Sequence, residues 1–248
     1  MSWWKKLTGK GDSSAPPQKI QPVASFDIPP SDEDEPLYQD QILRKQWAES
    51  VLEEQGVPIN RHLPCIEGEL QARVPPVQTV ANRLLALSVL AVKGQGMAQA
   101  EVEAIVDARG IRPLLTPKEL AFIDDPGATE HDCIQFVWRY EAAWVLFWAL
   151  NFTSAPLSYP DGICDVDLLL DTVRDMPDLT VNGLQSTNNI LNEADMIYRY
   201  HWAVRDAQIN GKDIPACLNA SVVMERHYAL NWLVGYMGAD WDDISTDT

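Results

Sequence analysis

Three long apolar segments with helical spacing each carry a few ionisable side chains where a core helix normally has none. A buried charge is costly unless an opposite charge or hydrogen bonds compensate it. We therefore expect the three helices to meet around a shared polar network. The segments are residues 136–144, 198–206 and 224–232.

The order of helix-starting and helix-ending signals predicts an all-α fold, with a single globular multi-helix domain of about eight helices over residues 37–248. Thr116-Pro-Lys-Glu119 combines a capping box with a proline at the first helical position. The fifth predicted helix covers residues 129–152, and the last runs from 219 to 237. No convincing alternation of apolar and polar residues predicts a sheet.

The first predicted helix has its large apolar residues spaced for one face, which we expect to be buried. A glycine after this face is placed to end the helix. The apolar residues are Ile42, Leu43, Trp47, Val51 and Leu52, and the glycine is Gly56.

Residues 1–36 differ in composition from the rest of the chain, with six prolines, several serines and the acidic run 32–35. Such a segment buries too little apolar surface to offset its ordering entropy, which predicts a disordered tether. At its tip, Trp3 and Trp4 lie beside lysines, a basic-aromatic pattern that suits weak peripheral contact with an anionic membrane surface. The alternative is an ordinary frayed terminus.

The net charge of −17 results from 36 acidic and 19 basic side chains. This charge would repel a nucleic-acid backbone and favours a basic protein partner. The four cysteines form no Cys-x-x-Cys pair, which predicts reduced thiols in the cytoplasm. We expect no secretory signal and no transmembrane segment, because the longest apolar run, 142–150, is too short to span a bilayer.

The charges inside the aromatic helices are the candidate site. Arg139 and Glu141 are two residues apart and point to nearly opposite sides of a helix, so each needs a partner elsewhere. Asp195 and Arg199 have the i,i+4 spacing of an ion pair. The full candidate set for a polar network or a ligand-binding site is Arg139, Glu141, Arg199, His201, Arg205, Asp206, Glu225, Arg226 and His227.

Three interpretations of this set remain open. The first is a structural network that fixes the register of the helices in an aromatic core. The second is a small-ligand pocket in which a surplus arginine or histidine meets an anionic group. The third, weaker one is a metal site using His201, His227 and a carboxylate, but no His-Glu-x-x-His spacing supports it. We predict no metal and no cofactor.

Catalytic motifs are missing from the sequence. It has no Gly-x-Ser-x-Gly elbow, no glycine-rich phosphate loop and no Gly-x-Gly-x-x-Gly. His62 and Cys65 form no convincing thiol nucleophile, and Asp165 and Asp167 suit a helix N-terminus better than a metal. These absences favour a protein without catalysis.

Several ordered motifs resemble the bacterial domain-of-unknown-function family 4272, from about residue 40 to the C-terminus. They are residues 57–64, 136–144, 201–207, 225–232 and 241–248. The resemblance brings no established activity, substrate or catalytic residue. It does place the family motifs on the same aromatic helices that carry the buried charges.

The sequence and its family resemblance therefore predict a bacterial cytoplasmic protein that is a non-catalytic binding or protein-interaction module. The alternative is a small-molecule-binding enzyme or sensor with a polar pocket between the aromatic helices. A closed, fully paired network favours the first, and a concave opening with an unpaired polar group favours the second.

Overall fold

The computed structural model describes residues 39–154 and 156–248. Over these ranges the chain forms nine α-helices and no β-strand, which confirms the predicted all-α fold class. The predicted tether and its tip at Trp3 and Trp4 lie outside the described residues. Within the described ranges, no helix is both long enough and apolar enough to cross a bilayer.

The helices are connected mostly by irregular segments, with short 3₁₀ turns near the C-terminal end. Their bounds are α1 Gln39–Glu54, α2 Val77–Gly94, α3 Gln99–Arg109, α4 Pro117–Asp124, α5 Glu130–Val137, α6 Arg139–Ala149, α7 Val166–Asp175, α8 Thr187–Ile209 and α9 Ala220–Val234.

The start of α4 forms the predicted capping box. The Glu119 amide donates to Thr116 Oγ1 at 3.3 Å, and Glu119 Oε2 accepts from the Thr116 amide at 2.9 Å. The end of α9 differs from the prediction, because the helix ends at Val234 rather than at residue 237. Gly235 follows with a φ of 74°, and a Cβ there would lie 2.6 Å from Arg73 Cβ. A left-handed residue with no room for a side chain explains why the helix ends here.

The predicted fifth helix is wrong as a single element, because the structure divides it at Trp138 into α5 and α6. At the break the Glu141 amide donates to Trp138 O at 3.0 Å, the i→i+3 pattern of a tighter 3₁₀ turn. Gly94 of α2 packs against this region so closely that a Cβ there would lie 2.7 Å from Cys133 O. A periodic apolar pattern carries no signal for such a local tightening.

We expect Gly94→Ala to lower the free energy of unfolding by about 1–3 kcal/mol, because the added methyl group overlaps the backbone of α5. The gain in helix propensity from alanine, about 1 kcal/mol, offsets part of this loss. Urea denaturation measures the change. Gly162→Ala is the control, since a Cβ there has no atom within 4 Å, and an equal effect of both changes would contradict the close approach.

The core is built around α2, α6, α8 and α9. Helix α6 packs on both α2 and α9, while α8 packs on α9 and on α1. Nine of the 11 residues of α6 are buried, so this helix is surrounded by protein. The three segments with embedded charges are therefore brought together, since they lie on α5 and α6, α8 and α9.

Helix α1 follows the sequence expectation only in part, because Leu52 is buried and Val51 packs against the core but the other three apolar residues are exposed. Ile42, Leu43 and Trp47 are between 37% and 48% exposed, whereas Arg44 and Glu49 are buried against α8 and the following segment. The apolar pattern was a misleading guide because polar residues on the other face find charged and hydrogen-bonding partners.

Candidate functional site

One deeply buried ion pair joins α6 to α9. Arg226 Nε donates to Glu141 Oε2 at 3.0 Å, and both side chains are 2% exposed. Arg226 Nη1 also donates to the Ser158 carbonyl at 2.7 Å, while Glu141 Oε1 accepts from the Cys164 amide at 2.6 Å. The pair therefore fixes the segment before α7 as well as the two helices.

A second pair joins the same two helices closer to solvent. Arg139 Nη1 donates to Glu225 Oε2 at 3.0 Å, and the guanidinium lies 4.8 Å from the centre of the Tyr228 ring. The Arg139 side chain is 23% exposed. Arg139 and Glu141 point to different sides of α6, and each finds its partner on α9.

The third pair lies within α8 and extends to α1. Arg199 donates to both carboxylate oxygens of Asp195, from Nε at 2.9 Å and from Nη2 at 2.8 Å. Glu49 of α1 approaches Arg199 Nη1 at 3.7 Å. Arg44, also on α1, bonds to side chains of Asp40 and of α8. The sequence predicted the pair within α8 and missed the contribution of α1.

His201 of α8 and His227 of α9 form a buried pair. Their Nδ1 atoms lie 2.8 Å apart, so one ring donates and the other accepts, and the rings meet edge to face. Burial lowers the pKa of His201 to about 4, with a smaller contribution from Arg205. Burial and the neighbouring His201 lower the pKa of His227 to about 3. Both imidazoles are therefore neutral at pH 7.

Arg205 and Asp206 do not join this network. Arg205 is exposed and donates to Gln208 Oε1 at 3.0 Å. Asp206 is partly exposed and lies 3.6 Å from Lys212 Nζ. Both lie near the C-terminal end of α8 on its less buried face, whereas Ala203, Val204 and Ala207 of the same turns are buried.

A further buried pair, which the sequence did not indicate as part of a site, connects α2 to α4. Arg83 Nη2 donates to Glu119 Oε2 at 2.6 Å, and the guanidinium lies 5.1 Å from the Trp241 ring centre. Glu119 thus serves both the capping box and an ion pair. A capping-box glutamate is normally exposed, so its spacing gave no sign of the second role.

A cavity of about 450 Å³ lies beside the network, between α1, the segment 64–71, α8, α9 and the C-terminal segment. Of the nine predicted candidate residues, His227 alone lines it. The other polar or aromatic residues of its wall come from separate parts of the chain, and they include Gln41, Cys65, Glu67, Tyr198, Asn231 and Tyr236. The chain brings them together through the packing of α1 and α9 on α8.

Gln41 has an unusual environment in this wall. Gln41 is 8% exposed, and its Nε2 donates to Ile66 O at 2.6 Å and to Gln71 Oε1 at 3.2 Å. Its Oε1 is buried and accepts no hydrogen bond from any of the described residues. An unsatisfied buried acceptor costs about 1–3 kcal/mol, so a donor at this position would be stabilising.

Cys65 and His227 share the cavity, which raises the question of a thiol nucleophile. Burial raises the pKa of the Cys65 thiol, and the pKa of His227 is about 3. The thiol is therefore protonated and the imidazole is a weak base near pH 7. Within residues 39–154 and 156–248, no three His, Cys, Asp or Glu side chains are arranged to hold a metal ion.

Comparison with known proteins identifies one family. The family model described as "Domain of unknown function (DUF4272)" matches residues 44–244, which confirms the resemblance seen in the sequence motifs. No curated protein and no solved structure matches the chain.

Proposed function

Since this chain belongs to the DUF4272 family, whose description assigns no activity, we propose its function from its own geometry. It is a non-catalytic binding module that takes a small ligand into the cavity between α1, α8 and α9. The cavity is the observation that carries this proposal. Its volume of about 450 Å³ falls in the range of about 300–1,000 Å³ found for ligand pockets.

The ion pairs support the proposal because they hold residues of the cavity wall in position. On α8, Asp195 and Arg199 flank the wall residue Tyr198, and on α9, Arg226 directly precedes His227. A wall residue next to a buried, hydrogen-bonded ion pair has little freedom to shift. Fixed walls reduce the ordering cost of ligand binding.

Binding without catalysis suits the protonation states in the cavity. A thiol with a raised pKa is a poor nucleophile, and an imidazole with a pKa of about 3 is a poor general base. We further propose that the protein is bacterial and acts in the cytoplasm. The irregularly spaced cysteines are typical of proteins with reduced thiols, and the motifs resemble a bacterial family.

Ala194→Phe tests the proposal. Ala194 is a wall residue of α8 that is 2% exposed, so a phenyl ring there would occupy part of the cavity. We expect a panel of amines, carboxylates, phosphates and neutral aromatics to contain compounds that raise the melting temperature of the native chain, because a ligand that binds only the folded state stabilises it. The same compounds should have no effect on Ala194→Phe.

The matched control is Ala104→Phe, which places the same ring on the exposed side of α3. Circular dichroism verifies that both variants are folded. If no compound stabilises the native chain, or if Ala194→Phe responds as Ala104→Phe does, the cavity is not a ligand site.

A further inference from the structure

We infer that the ligand of the proposed cavity is a small molecule with an alkyl ammonium group. This inference rests on the proposed function, and it specifies the chemistry of the ligand. The sequence alone pointed to the opposite charge, since a surplus arginine or histidine in the network would attract an anion. In the structure those arginines are not part of the cavity lining, and the charged residues of the lining are acidic.

The formal charges of the lining support a cationic ligand. Within the described residues, the acidic residues Glu67 and Asp247 line the cavity, and no lysine or arginine does. His227 adds no positive charge at neutral pH, because its pKa is about 3. Two negative charges on one concave surface attract a cation more strongly than isolated surface charges do.

Two arginines lie near residues of the cavity wall, but neighbouring carboxylates balance their positive charges. Arg199 is paired with Asp195 and approached by Glu49. Arg44 contacts Asp40 at 3.3 Å and donates to the backbone carbonyl of Glu67 at 3.4 Å. The carboxylate of Glu67 makes no ion pair within the described part of the chain, so it is available to a ligand.

The hydrogen-bonding groups of the wall favour a ligand that donates. In the part of the chain that the structure describes, no donor bonds to the buried Gln41 Oε1, while the amide nitrogen of the same side chain is already bonded. Asn231 uses its amide nitrogen to donate to Ser245 O at 2.8 Å, which leaves its Oδ1 as an acceptor. A primary ammonium group has three N–H donors and no acceptor, and so complements these oxygens.

The aromatic residues of the wall suit the same chemistry. Tyr198 and Tyr236 both line the cavity. The face of an aromatic ring attracts a cation, and its apolar surface packs against an alkyl chain. Carboxylates, amide oxygens and tyrosine rings together select an alkyl chain that ends in an ammonium group over a neutral or anionic molecule of the same length.

Three five-carbon probes test this selection by isothermal titration calorimetry. They are 1,5-diaminopentane, the neutral 1,5-pentanediol and the dianion glutarate. We expect binding of the diamine alone. The titrations are performed in about 0.15 M salt, where a Debye length of about 8 Å weakens non-specific attraction to an acidic protein.

Charge-neutralising variants locate the bound diamine. We expect Glu67→Gln together with Asp247→Asn to weaken diamine binding by roughly tenfold or more, a factor equivalent to about 1.4 kcal/mol. Glu69→Gln is the control for the Glu67 change, because it removes one negative charge two residues away, at an exposed position outside the lining. It should leave the affinity unchanged.

The outcomes separate this inference from the proposed function. The panel could yield a neutral or anionic ligand whose stabilising effect is lost in Ala194→Phe. In that case the cavity binds ligands, but the assignment of an ammonium group is wrong. If diamine binding survives Ala194→Phe or responds equally to Glu69→Gln, the diamine binds the acidic surface and the inference fails. If the panel yields no cavity ligand at all, the proposed function fails first.

Discussion

Replacing Arg226 with methionine is expected to lower the free energy of unfolding by about 3–5 kcal/mol, because Glu141 would remain buried without its cation. Methionine retains much of the volume of the arginine stem. The loss of stability therefore results from removing the charge rather than from creating a cavity. Urea denaturation monitored by tryptophan fluorescence measures it.

Two further variants make this prediction specific. Glu141→Gln is expected to cost less, about 1–3 kcal/mol, because the amide still accepts hydrogen bonds from neighbouring donors. Arg139→Met should cost less than Arg226→Met, since the Arg139 and Glu225 side chains are 23% and 8% exposed, whereas both side chains of the Arg226–Glu141 pair are 2% exposed. The prediction is wrong if Arg226→Met destabilises the protein no more than Arg139→Met does.

Acid is expected to destabilise the protein through the histidine pair. The pKa values of His201 and His227 in the folded state, about 4 and about 3, lie below the unfolded value of 6.5. Below pH 6.5 the unfolded chain therefore binds protons that the folded chain does not, and stability falls as the pH is lowered. Each such proton contributes up to about 1.4 kcal/mol per pH unit, so we expect a loss of a few kcal/mol between pH 6.5 and 4.5.

The measurement must separate the histidines from other groups that titrate in this range. Burial raises the pKa of Glu193 to about 7, so its protonation favours the folded state as the pH falls and opposes the histidine effect. The double variant His201→Gln, His227→Gln removes the histidines and leaves Glu193. We expect the native chain to lose more stability than this variant between pH 6.5 and 4.5, and parallel pH profiles would contradict the prediction.

Local sequence signals were sufficient for the fold class. The capping box at Thr116 and Glu119 and the end of α3 at Gly110 depend on residues close in sequence, and the structure contains both. The division at Trp138 was missed because no capping or breaking residue marks it in the sequence, and the close packing of Gly94 on the end of α5 joins residues distant in sequence. The end of α9 was misplaced for a similar reason, the contact between Gly235 and Arg73.

The site was predictable only in part. The opposed directions of Arg139 and Glu141 required partners on other helices, but the choice of Glu225 and Arg226 depends on how α6 packs on α9. The cavity wall had no sequence signal. A glutamine in the first helix and a glutamate in an irregular segment have no shared periodicity, and only the packing of distant segments brings Gln41 near Glu67.

The cavity wall includes Gln41 near one end of the described chain and Thr248 at the other. Helix ends and terminal segments are the parts of a protein that open most readily without global unfolding. A ligand that contacts both would bind only when both are in place, so occupancy should slow amide hydrogen exchange in α1 and in residues 241–248 together. For the same reason, an affinity tag added after Thr248 would begin at the cavity wall and interfere with the binding assays.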